Sequence, residues 1–297
     1  MKKFISFLIL NYIFATDFFF TEIGSCTLNI YEGKQIKNHN LQHLIIDNLL
    51  KLSNEFGIVE KKSFQIFITN ELSEFNRLSS GPIPEWGIAV AKSNPSRIII
   101  KGPKLSNISY SRLKQVLIHE LYHLYFFRKK GNTYVPSWFS EGLASNWAKE
   151  FDLNKKILIS SALWKKKIFP LFKLKEFNQF NRQNAHLAYA QSSAAIDAIK
   201  FFYQDSILIN LINNLKYITD FDSLFIDLTK DNQAEFLIKY ENFLNENYRW
   251  MFLLKTSNLI FIIMPLLVII GYLIKRRHNK ITIKNWEKEE TIIDNYI

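Results

Sequence analysis

Residues 113–131 read LKQVLIHELYHLYFFRKKG, an apolar stretch at helical spacing with His119, Glu120 and His123 in its middle. No other run constrains the chain as tightly: an apolar helix of this kind must be buried, and buried polar side chains cost free energy unless something pairs with them. Histidines four residues apart share one helix face, about 6 Å apart, so both can offer a ring nitrogen to one ion. Glu120 is rotated about 100° from His119, beside such an ion but outside its ligand set. That position suits a general base, and the pattern is the His-Glu-x-x-His signature, in which the glutamate takes a proton from zinc-bound water. The flanking residues predict one helix over 111–130, basic in its last turn and stopped by Gly131.

The lone cysteine, Cys26, excludes an internal disulfide and a cysteine-ligated zinc, leaving histidine, carboxylate and water as ligands. A catalytic zinc takes three protein ligands and keeps one position open, so a third ligand is expected on the next element. Residues 135–148, VPSWFSEGLASNWA, supply it: Pro136 suits a first helical turn and Glu141 falls inside the helix that follows. The link from His123 is long enough for one helix to end and a second to return alongside. On a later helix His186 and Tyr189 are three residues apart, and either would serve as donor to a developing oxyanion. The strand GIAVA, containing Gly87, Ile88 and Ala89, either receives a substrate peptide along its edge or is an ordinary core strand; Gly87 and Ala89 would leave room for the peptide. His39, His43 and His278 lie outside any ligand geometry.

With 297 residues, 48% of them hydrophobic, the chain can bury a large core. The net charge of +11 is scattered and interleaved with acids, without a nucleic-acid motif, so no nucleic-acid partner is expected. KSFQIFITN, which alternates and is rich in β-formers, and the short apolar strands IAVA and RIIIKG precede the histidine helix. NHNLQHLIIDNLLKLSNEFG and ELSEFNRLSSG, the latter ending at Gly81, read as helices. Everything after the histidine helix is helical: SWFSEGLASNWAKEF, HLAYAQSSAAIDAIKFFY, SILINLINNLKYI and NQAEFLIKYENFLNENY. The fold class is therefore α+β, a sheet-bearing lobe followed by a helical lobe.

Two segments address a membrane. Lys2 and Lys3 followed by an apolar run read as a signal peptide or N-terminal anchor over residues 1–25. IGSC at 23–26 weakly resembles a lipoprotein box, but Asp17 and Glu22 close upstream argue against lipidation of Cys26. Residues 256–274, TSNLIFIIMPLLVIIGYLI, carry no charge and are long enough for a hydrocarbon core of roughly 30 Å, so one C-terminal transmembrane helix is expected. Lys275, Arg276 and Arg277 put the tail, 275–297, on the cytoplasmic side and the domain, 26–255, on the other.

HELYH followed by PSWFSEGLA resembles the gluzincin zinc metallopeptidases, and more narrowly the bacterial peptidase MA-like proteins, membrane-anchored relatives with a W-F-x-E-G-L-A segment. WGIAVAKSNPSRIIIKGP and AYAQS are similar to stretches of that family on either side of the zinc helix, so the likeness runs weakly over about 60–290. It implies a thermolysin-like two-lobe domain, Zn2+ as cofactor, a peptide or protein substrate, and a single-pass protein of the bacterial inner (cell) membrane with its catalytic domain periplasmic or extracellular. The alternative is a catalytically silent, membrane-tethered binding module. One departure stands out: many gluzincins carry an aspartate four residues after the glutamate ligand to orient a histidine, and here that position is Ser145.

Overall fold

The computed structural model describes residues 14–31, 38–80, 83–174, 177–218 and 220–294. Five strands, β1 (Phe14–Thr21), β2 (Gly24–Tyr31), β3 (Phe64–Thr69), β4 (Ala89–Lys92) and β5 (Arg97–Lys101), form one sheet in the order β1-β2-β3-β5-β4. β2, β3 and β5 run parallel; β1 and β4, on the two edges, are antiparallel to their neighbours. Strand alternation assigns side chains to two faces. Ile66, Ile68, Ile98 and Ile100 point into the main core, which they share with Ile45, Leu49 and Leu52 of α1 (Asn38–Phe56). Phe67 and Ile99 point the other way, onto Phe75 and Leu78 of α2 (Leu72–Ser79). Gly81, expected to end that helix, lies outside the described residues; the cap is Ser80, in a left-handed conformation.

The short α3 (Pro103–Ser106) leads into α4 (Tyr110–Lys130), the histidine helix. The Ser109 hydroxyl caps α4 by accepting from Arg112 N, and Arg128, Lys129 and Lys130 complement the negative end of its dipole. Leu113, Leu117, Leu121, Leu124 and Phe126 are all fully or almost fully buried, so α4 runs through the middle of the core. The helical lobe follows: α5 (Ser137–Trp147), α6 (Leu153–Trp164), α7 (Arg182–Tyr203), α8 (Asp205–Asn214), α9 (Phe221–Thr229) and α10 (Gln233–Tyr248). A 3-10 segment, Arg249–Leu254, connects α10 to the long α11 (Thr256–Asp294).

The fold is thus mixed α and β, a small sheet beside a helical lobe. At the N-terminus, residues 14–25 of the segment read as a leader take part in the sheet. The leader expected over residues 1–25 overlaps the sheet, because β1 pairs with β2 along its whole length and Phe19, Ile23 and Cys26 are buried. Residues 1–13 lie outside the described ones. An apolar run with alternating polar neighbours satisfies a strand as well as a leader, and only the pairing decides. The Cys26 thiol is fully buried, and that burial pushes its pKa up.

Candidate metal centre and cleft

The site is assembled where α5 packs between α4 and α7. Gly142, next to Glu141, makes the approach possible: a Cβ there would lie 2.3 Å from Ser192 O and 2.8 Å from Ile196 Cγ1, both on α7. Any side chain at this position would push α5 away, and Glu141 with it. Glu141 Oε2 lies 3.3 Å from His119 Nε2 and 3.3 Å from His123 Nε2, and the two ring nitrogens are 3.0 Å apart. Three ligands bound to one zinc at about 2.0–2.1 Å in a tetrahedral arrangement stand about 3.3–3.4 Å from one another. The spacing fits. Glu141 Oε2 is buried and faces only the two imidazole nitrogens, with no well-formed hydrogen bond, as suits an acceptor aimed at a shared cation. Among the described residues these three form the group able to hold a metal ion.

The charge arrangement agrees. Burial alone would lower the His119 pKa, but Glu150 and Glu141 outweigh it and raise it well above the ordinary imidazole value. Burial would raise Glu141, yet His123 and His119 hold it far below the usual carboxylate range. The pocket therefore demands positive charge, which a proton or a divalent cation can supply.

Glu150 was not singled out by the sequence. Its Oε2 lies 3.3 Å from His119 Nδ1, the nitrogen turned away from Glu141, while Arg112 donates to its Oε1 at 2.7 Å and Lys155 Nζ is 3.6 Å from Oε2. Its carboxylate thus stands beside the His119 ring nitrogen that faces away from Glu141, a place from which a carboxylate can orient the ring. Ser145 is fully buried with its hydroxyl unpartnered. Glu150 gets there because α5 stops at Trp147: Lys149 takes a positive φ of 53° and Glu150 N bonds back to Ser145 O at 2.9 Å. The expected helix through SWFSEGLASNWAKEF would have carried Glu150 round the axis instead.

His119 and Glu120 form part of the wall of a cleft of about 210 Å³. Gly87, Ile88, Ala89 and Val90 form its sheet side, Arg112 and Val116 continue the α4 side, and Glu150, His186 and Tyr189 close the helical side. Trp86 Nε1 donates to Phe180 O at 3.1 Å, tying the loop before β4 to the helical lobe. Glu120 is 8% exposed, and burial raises its carboxyl above the ordinary value. The Tyr189 ring stands 6.4 Å from that of His119 and 4.9 Å from Phe177; burial, then Glu141 and Glu120, push its hydroxyl pKa far up, so it keeps its proton. His186 is lowered by burial, then by Arg182, Lys155 and Arg112, and stays neutral. β4 is the edge strand beside α4, as a peptide-receiving strand must be. A Cβ at Gly87 would meet Ile83 Cγ2 at 2.7 Å and Pro84 O at 3.1 Å, so the turn before β4 itself requires a glycine at this point of the cleft wall. His43 and His278 are exposed and distant from these groups in the chain, and His39 has no described side chain.

No curated protein matches the chain. Among solved structures it is similar to a mutant of a two-domain M1 zinc metallopeptidase bound to L-arginine, at 11% identity over 78% of this chain and 51% of that one, with a TM-score of 0.47. It is also similar to an M1 zinc metallopeptidase from Deinococcus radiodurans, at 14% identity over 74% and 48%, with a TM-score of 0.43. The chain spans about half the length of these structures. Residues 46–228, from α1 through the centre and cleft to α9, match the sequence model of the Peptidase MA superfamily, and the chain belongs to that superfamily.

Proposed function

We propose that the protein is a membrane-anchored zinc metallopeptidase that hydrolyses peptide bonds in the cleft between β4 and α7. The observation that carries this is the convergence of His119, His123 and Glu141 at 3.0–3.3 Å beside an open cleft whose wall includes His119 and Glu120. A zinc ion held by these three would supply Lewis acidity, acidifying a water and polarising a peptide carbonyl. Glu120 accepts the proton of that water and returns it to the leaving amine; its burial makes it a stronger base than a surface carboxylate. Tyr189, held protonated, donates to the oxyanion, with neutral His186 on the same wall as the competing donor. The outer edge of β4 pairs with the backbone of the substrate, independent of its sequence. Glu150 keeps the His119 ring turned so that Nε2 faces the ion.

Among the described residues no helix is long and apolar enough to cross a membrane. The anchor reading rests on the composition of α11 and on its exposure. Its run from residue 256 includes 256–259, 261 and 262, whose side chains lie outside the described ones, and the apolar side chains from Ile263 to Ile274 are about half exposed or more on every side of the helix. A helix stretch that is apolar all round and whose described side chains stay exposed on every side calls for lipid. The KRR cluster that follows places the tail inside the cell, and the catalytic domain outside the cytoplasm.

The test is hydrolysis of a peptide mixture by the full chain and by Glu120→Gln. The variant is expected to keep its zinc and lose at least about a hundredfold in rate. Equal cleavage by both proteins would assign the base elsewhere, and no cleavage by either, with zinc bound, would favour a silent binding module.

A further inference from the structure

The end of α6 and the segment leading into α11 form one exposed surface whose chemistry the peptidase reading does not use. α6 finishes at Trp164, and the next three residues, Lys165, Lys166 and Lys167, are consecutive and exposed, with no carboxylate paired to them among the described residues. This turn is tied to the 3-10 segment Arg249–Leu254. Trp164 Nε1 and Ser160 Oγ both donate to Arg249 O, at 3.1 and 2.8 Å. The Arg249 guanidinium stacks 4.7 Å over the Trp164 ring, which also meets Phe252 at 5.8 Å. Large apolar groups nevertheless face outward: Trp164 is 54% exposed, Trp250 53% and Leu253 49%. The apolar helix α11 begins at Thr256, separated from Leu254 by Lys255 alone.

Chain geometry turns this into a constraint. One residue spans at most about 3.6 Å, so whatever lipid surface α11 enters lies within several ångströms of Leu254. The end of α6, hydrogen-bonded to Arg249 through Trp164 and Ser160, holds the lysine turn beside the start of the segment that leads to that surface. Exposed tryptophans beside a run of lysines are what a headgroup layer accommodates: indole rings partition to the interface, and lysines attract anionic lipid. In water the same surface would leave two indoles and a leucine wet without compensation.

We propose that Trp164, Lys165, Lys166 and Lys167, together with Trp250 and Lys255, dock on an anionic phospholipid surface and fix how the catalytic domain stands on the membrane. The proposal rests on the reading of α11 as an anchor. Each lysine near an anionic bilayer contributes several-fold in partitioning, so three give roughly a hundredfold preference for the docked state over the zwitterionic case.

The test uses the full chain in lipid nanodiscs of purely zwitterionic phospholipid or with about a third anionic phospholipid. Amine-reactive labelling of Lys165, Lys166 and Lys167, mapped by mass spectrometry, is expected to slow at least about fivefold in the anionic discs and to recover in about 1 M salt, where screening is near-complete. Lys51, exposed on the outer face of α1, is the internal reference and should label equally in both. In the Lys165→Glu/Lys166→Glu/Lys167→Glu variant, with zinc content unchanged, quenching of tryptophan by lipids brominated near the glycerol should fall; Trp164→Phe and Trp250→Phe identify the rings responsible. Firm insertion with equal labelling in both discs rejects the docking surface and leaves the anchor standing. A chain that does not enter discs at all rejects the anchor and the docking together.

Discussion

Replacing Glu150 with glutamine isolates the least expected element of the centre. The side chain is 6% exposed and touches His119 Nδ1 at 3.3 Å, Arg112 at 2.7 Å and Lys155 at 3.6 Å. Glutamine keeps the volume but removes the charge that orients His119 and raises its basicity. Loss of such a partner lowers metal affinity by about 10–100-fold, or about 1.4–2.7 kcal/mol. A second cost falls on the fold. Removing one member of a fully buried pair costs about 3–5 kcal/mol, but Arg112 is 39% and Lys155 23% exposed, so solvent recovers much of it and about 1–2 kcal/mol is expected. The assay is a zinc titration against a competing chelator at neutral pH, paired with thermal unfolding with and without zinc. At fixed free zinc, the extra stability that zinc confers should shrink by the same amount as the binding free energy, about 1.4–2.7 kcal/mol, because both report one equilibrium. Wild-type zinc affinity in a folded Glu150→Gln protein would refute the reasoning.

Tyr189→Phe should lower turnover by about 3 kcal/mol of transition-state stabilisation while leaving zinc content and KM near wild type; a fully active Tyr189→Phe with a crippled His186→Ala, zinc intact, transfers the role to His186. Gly142→Ala should destabilise by about 1–3 kcal/mol and weaken zinc binding, since the new Cβ meets Ser192 O and Ile196 and displaces α5; unfolding and zinc titration read both effects, and an unperturbed protein would mean that α7 yields freely. Zinc should bind more tightly as pH rises, by up to about tenfold per unit, because the ion must displace a proton that Glu150 and Glu141 hold on His119. For the metal-free fold the same raised pKa works in the opposite direction. Its contribution is fully present below the ordinary histidine value of about 6.5 and is lost as pH climbs through the raised one, so the metal-free protein should weaken on the alkaline side, as unfolding midpoints across pH would record.

Much of this architecture is written in periodicity. The runs KSFQIFITN and RIIIKG are rich in consecutive apolar residues because their strands are covered on both faces, and the helices α7 to α10 repeat at three and four because each buries one side. The three metal-facing groups were readable for the same reason: two are fixed by one turn of α4, and the third follows from a ligand count that had to close. What escaped is set by how elements end and pair. Residues 14–21 are as apolar as a leader, and only their register with β2 makes them a strand. Glu150 lies in a stretch without glycine or proline to announce that α5 stops, and its direction depends on a positive φ at Lys149.

The central claim is that His119, His123 and Glu141 hold one zinc ion, and metal analysis of the purified full chain tests it most directly. The expected result is one zinc per chain, removed by a strong chelator, restored by added zinc, and lost in His123→Ala under conditions where the variant remains folded by circular dichroism. A folded wild-type chain that takes up no zinc, or a folded His123→Ala chain that retains it in full, would contradict the account.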